Sequence, residues 1–178
     1  MKERALPPHL RHFLAYDRHT RDVDELAQVV LKGHLVIESV LDNIIGLMLF
    51  HPEYMADVRL GFNQKVKLAR SICLRKNEHR AWTVLIALNA VRNEVAHNLK
   101  GEKRKIKLER LKRIFLDGLD PAIGEDVENG PEHLIGALAC AECINFLTWC
   151  EDEIKVLRGH IDVMEAKLNL DQERKIPS

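Results

Sequence analysis

At 178 residues the chain has the length of one ordinary domain. Hydrophobic residues at 46% and charged residues at 30% can fill a core and cover a surface, which excludes wholesale disorder. Lysine and arginine number 27 and so do the acids, so any pull toward nucleic acid or anionic lipid must come from local clusters.

Residues 1–19 read as an N-terminal arm with one short helix near 9–15. A long helix is expected to start at Thr20, an N-cap followed by Asp22 and Asp24 in the first turn. Its stripe of Leu26, Val30, Gly33, Ile37, Val40, Ile44 and Leu47 alternates steps of four and three, and Phe50-His51-Pro52 ends it. A second helix over 62–74 turns Phe62, Val66, Ala69 and Cys73 inward. A third, capped by Asn77 and reaching about residue 99, buries Ala81, Val84, Leu85, Leu88, Val91 and Val95. Residues 100–105 form a basic loop, a modest fourth helix covers about 106–115, and 117–132 reads as an acidic loop rich in glycine and proline. The last long helix runs over about 131–157 with two apolar stripes. Gly159 is expected to stop or kink it before a C-terminal helix and tail over 158–178.

No alternating strand pattern and no repeat is visible, so the fold class is an all-α bundle of about five helices with its single domain over 20–157. Aromatic residues at only 5% fit helix better than sheet. The first 20 residues show no apolar leader, and the longest apolar stretch, 44–50, is too short to span a bilayer. The expected address is therefore cytoplasmic, without membrane contact. Cys140 and Cys143 have CxxC spacing but lie within a helical pattern. With Cys73 and Cys150 they read as buried thiols, neither a disulfide framework nor a metal site, and no cofactor is implied.

Chemistry concentrates in the third helix, in Leu88-Asn89-Ala90-Val91-Arg92-Asn93-Glu94-Val95-Ala96-His97. Asn89, Asn93 and His97 are each four apart and share a face, with Arg92 one step round from it. Amides, a guanidinium and an imidazole along one edge of an otherwise apolar helix need compensation from internal hydrogen bonds, a partner chain or a ligand. One reading is that they cap and cross-link helices.

Arg92-Asn93-x-x-x-His97 resembles the R-x(4–6)-H signature of the HEPN superfamily. The likeness extends to Gly33-His34-x-x-x-Glu38-x-x-Leu41 on the first helix and Phe62-x-x-Lys65-x-x-Leu68-Ala69 on the second, and covers roughly residues 20–157. The resemblance implies a HEPN-like bundle acting as a metal-independent endoribonuclease, toxin- or defence-like. Arg92 and His97 would be its catalytic pair, assisted by Asn93. It also implies a homodimer whose two copies build one composite site, with RNA as substrate. The chemistry suits cleavage by the RNA's own 2′-hydroxyl: a histidine moves protons near neutral pH, and an arginine fork holds phosphate oxygens. Some members carry a tyrosine two residues after the histidine, where an antitoxin modifies them. Leu99 stands there, which puts that form of control by an antitoxin or regulatory partner in doubt.

Glu38 and Asn89 are supporting candidates; Glu38 is expected to contact His34 one turn away or to pair with Arg92. Lys100, Lys103, Arg104, Lys105 and Lys107 open a basic run beside His97 that fits an RNA backbone, or simply a solvated surface. The alternative function is a non-catalytic RNA- or nucleotide-binding or regulatory module on the same fold.

Overall fold

The computed structural model describes residues 24–55, 57–74, 77–97, 101–119 and 121–173. Among these lie six α-helices and one 3₁₀ turn, with no strand, so the chain is an all-α bundle. We number the helices α1 (Glu25–Met48), α2 (Phe62–Ile72), α3 (Ala81–His97), α4 (Glu102–Leu116), α5 (Pro121–Glu128) and α6 (Glu132–Glu173); the 3₁₀ turn is Pro52–Met55. The expected arm over 1–19 and the cap Thr20 lie outside the described residues.

The N-cap of α1 is Asp24, whose carboxylate accepts from the Ala27 backbone N–H at 3.0 Å. Of the apolar stripe read from the sequence, Leu26, Val30, Ile37 and Ile44 are at most 3% exposed, Val40 and Leu47 are half-buried, and Leu41, outside that stripe, is fully buried. It packs along α6, and the two helices run parallel. Glu25 pairs with His133 at one end, Gly33 faces Cys140 in the middle, and the Leu49 carbonyl accepts from Arg158 at the other. Gly33 is required there. A Cβ on it would stand 2.3 Å from the Cys140 sulfur, so these helices approach each other through the missing side chain.

Five expectations need correction. Asp24 is the cap of α1 and not part of its first turn, and α3 begins only at Ala81, so Asn77, a turn residue, is not its cap. The segment 117–132 is not wholly a loop, because α5 occupies Pro121–Glu128. Proline is well tolerated in a first helical turn, and burial of Val127 to 7% exposure gives this short helix a tertiary anchor. The basic loop is also shorter than expected, since α4 already begins at Glu102 on an extended Gly101 cap. Gly159 neither stops nor bends the last helix into a separate piece: α6 continues through it for 42 residues. One glycine costs about 1 kcal/mol, too little to end a helix with long flanks on both sides.

α6 is long and apolar enough, by length and composition, to cross a membrane. In this fold its apolar residues serve the core: Ile135, Ala139, Cys143, Phe146, Leu147, Cys150 and Ile154 are all at most 5% exposed. Beyond Arg158 the helix passes the end of α1, and Val163, Met164 and Leu168 are exposed.

Candidate functional site

The polar edge of α3 faces α1 and the first turn of α2. Asn89 is buried, and its amide links three helices. Its Oδ1 lies 3.2 Å from His34 Nε2 on α1, and its Nδ2 donates to Asn63 Oδ1 on α2 at 3.2 Å. A carbonyl oxygen only accepts, so His34 carries its proton on Nε2. That leaves Nδ1 bare, and it is buried with no hydrogen-bond partner. The nearest carboxylate oxygen, on Glu38, is 3.8 Å away, too far for a hydrogen bond. The imidazole also lies against the Phe62 ring, with centroids 4.3 Å apart.

Glu38 takes a different ionic partner from the Arg92 considered in the sequence. Lys65 of α2 donates to Glu38 at 2.9 Å and to Asp42 at 2.8 Å. The two carboxylates are one turn apart on α1, so one ammonium bridges both. Burial works to lower the Lys65 pKa, but its hydrogen bonds to Asp42 and Glu38 outweigh this and raise it.

Arg92 is half-buried. One terminal nitrogen donates to the Asn93 side chain at 3.1 Å, while its Nε is buried without a partner. No carboxylate lies within ion-pair distance of it among the described residues. A cleft of about 450 Å³ opens beside this guanidinium, bordered by His34, Glu38, Phe62, Asn63, Asn89, Arg92 and Asn93. The structure therefore brings together Glu38, Asn89, Arg92 and Asn93. His97 is the last residue of α3, one turn beyond Asn93, exposed and outside the cleft lining.

The basic run divides. Lys100 lies outside the described residues. Lys103 and Lys105 are exposed on the first turn of α4, and Lys107 is half-buried. Arg104 clamps Asp24 with two guanidinium nitrogens, one of them at 2.8 Å, and is only 14% exposed. It ties the start of α4 to the cap of α1. Among the described residues no three His, Cys, Asp or Glu side chains converge as a metal set. Burial raises the Cys140 thiol to about 11 and pushes Cys143 up as well.

Asn63 is a member of the cleft that sequence reasoning did not single out. Its only signal is its position after Phe62 in a first helical turn. Its alignment with Asn89 depends on how α2 crosses α3.

Burial lowers the pKa of His34 below the ordinary value of about 6.5, and the nearby Arg92 charge adds to this. The Asn89 hydrogen bond and Glu38 act the other way. With a lowered folded pKa, the unfolded chain binds the extra proton first. His34 therefore contributes stability that is complete above about pH 6.5 and is lost as pH falls toward its folded value. The urea midpoint is expected to drop on acidification from about pH 7 to pH 5. His34→Gln should flatten part of that drop, and superimposable profiles would contradict the assignment.

No protein-family model matches the chain, and neither a curated protein nor a solved structure matches it.

Proposed function

We propose that this chain is a HEPN-type, metal-independent endoribonuclease in which Arg92, Asn93 and His97 carry the chemistry. The observation that supports this most is Arg92: a half-buried guanidinium with no acidic partner among the described residues, at the mouth of an open polar cleft. Leaving the buried Nε unpaired costs about 1–3 kcal/mol, so the side chain is not held here for stability, and the terminal nitrogens are the part of the fork that phosphate oxygens would meet. Asn93 holds the guanidinium from its own helix, and the exposed imidazole of His97 follows one turn later on the same edge.

In this reading Arg92 holds the scissile phosphate and stabilises its developing charge. His97 takes the proton of the 2′-hydroxyl as that oxygen attacks the phosphorus; the P–O5′ bond breaks and the departing 5′-oxygen receives a proton from a second imidazole, leaving a 2′,3′-cyclic phosphate and a 5′-hydroxyl. One exposed histidine per strip is few for two proton transfers, so two copies of the chain bring two strips to one site in a homodimer. Cleavage should leave a cyclic phosphate, spare DNA and ignore chelators. Purified protein is incubated with mixed cellular RNA beside its His97→Ala variant. RNA left whole by folded, dimeric wild type would overturn the reading.

A second reading is a non-catalytic RNA- or nucleotide-binding module on the same bundle. The separation of His97 from the cleft favours it, because the cleft then binds without an adjoining proton-transfer group.

Both readings use the exposed lysines of α4. Lys103→Ala with Lys105→Ala should weaken RNA binding and lower the slope of log K against log salt by roughly 1.4, at about 0.7 per phosphate contact on single strands. Arg104→Ala should instead lower stability by releasing the Asp24 clamp. An unchanged slope in the double lysine variant would make this surface merely solvated.

A further inference from the structure

We infer that Cys73 and Cys150 form a redox latch: a dithiol pair that a small disulfide oxidant converts to one intramolecular bridge, bolting the end of α2 to α6. Cys73 is the C-cap of α2, its backbone N–H bonded to the Ala69 carbonyl. Its sulfur lies 3.2 Å from the Cys150 sulfur across 77 residues of chain, and both side chains are buried. A disulfide needs about 2.05 Å, so the sulfurs must close by roughly 1 Å, which small side-chain rotations supply.

The other two cysteines do not compete well for this role. Cys140 points its sulfur at the backbone of Gly33, and burial keeps it and Cys143 in the unreactive thiol form. Cys73, at 8% exposed against 1% for Cys150, is the more exposed residue of the pair and is assigned the first attack.

The chemistry balances with oxidised glutathione as oxidant. The Cys73 thiol loses its proton, attacks one glutathione sulfur and releases the other as a thiolate. The Cys150 thiol then loses its proton, attacks Cys73 in the mixed disulfide and expels the second glutathione. Two protein thiols are oxidised, one glutathione disulfide is reduced to two thiols, and the two protons go to those thiols.

The position of the latch gives it a consequence. α2 presents Phe62 and Asn63 to the polar cleft from its first turn and is followed at its C-cap by Cys73, which faces α6. Bridging fixes the helix that forms one wall of the cleft. The inference stands on the sulfur geometry and holds whether or not the cleft serves a ribonuclease.

The test uses the full-length protein as purified, with oxidised glutathione and then alkylation under denaturing conditions. Intact mass should show two of the four thiols protected, and peptide mapping should join Cys73 to Cys150. The thermal midpoint should rise by roughly 10 °C and return with dithiothreitol. Cys73→Ala should show neither the bridge nor the shift. Four alkylated thiols, a Cys140–Cys143 bridge, or a glutathione adduct that Cys150 never resolves would each overturn the inference. The wild-type map decides it even where the alanine variant fails to fold.

Discussion

Replacing Arg92 by lysine is expected to reduce RNA cleavage about 10²- to 10³-fold, the loss typical of removing one donor to developing charge. His97→Ala is expected to abolish it. An ammonium keeps the charge of Arg92 but not the planar fork, and it does not reproduce the hold on both phosphate and Asn93. His97 is exposed at the end of α3, so its removal should leave the circular dichroism spectrum and RNA binding nearly unchanged. A third substitution separates function from architecture. Arg92→Leu removes a buried Nε that has no partner and a cation with no acid beside it among the described residues. The fold should gain roughly 1 kcal/mol while activity disappears. A purely structural role for Arg92 requires the opposite sign, so a destabilised Arg92→Leu protein with normal RNA handling would sink the proposal. Cleavage that persists in His97→Ala would point to a different proton-transfer group.

How far the sequence carries depends on what each feature rests on. The stripes of α1 and α3 were legible because burial imposes their 3.6-residue period directly: Val30, Ile37, Ile44, Val84, Leu85, Leu88 and Val91 are all at most 1% exposed. The end of α6 was not legible, because a lone glycine biases a helix only weakly and the packing on α1 has already committed the chain before Gly159 is reached. Helix α5 was hidden because glycine, proline and acids read locally as loop, whereas the docking of Val127 is a tertiary fact. At the site, phase alone placed Asn89, Asn93, His97 and Arg92 along one edge. The sharing of a cleft by Asn89, Arg92 and Asn93 with Asn63 and His34, and the capture of Glu38 by Lys65, depend on how α2 crosses α1 and α3. The polar strip was therefore readable, but its electrostatic wiring was not.

Trp82→Ala is expected to cost about 3–5 kcal/mol, the largest stability loss among the substitutions considered. Trp82 is 2% exposed in the first turn of α3, and its ring meets Phe146 of α6 edge-on at 5.0 Å. His79 stacks on the same Phe146 at 4.4 Å, and Arg80 donates to Glu142 at 2.6 Å and to the Phe115 carbonyl. This end of α3 is thus fastened to α6, while the other end carries the polar strip. Truncation to alanine removes the largest fully buried side chain among the described residues and leaves a cavity among helices whose backbones cannot easily close it. Against a total of about 5–15 kcal/mol, such a loss brings a domain of this kind close to unfolding. With a urea slope of about 1–3 kcal/mol per molar, the midpoint followed by circular dichroism should move down by 1 M or more. Trp82→Phe keeps an aromatic edge against Phe146 and should lose much less, about 1–2 kcal/mol. Any RNA cleavage should fall with the folded fraction in Trp82→Ala, and should recover when urea-free conditions or lower temperature restore the helix signal. A loss below 1 kcal/mol with an unchanged slope would mean that α3 is not anchored through this ring.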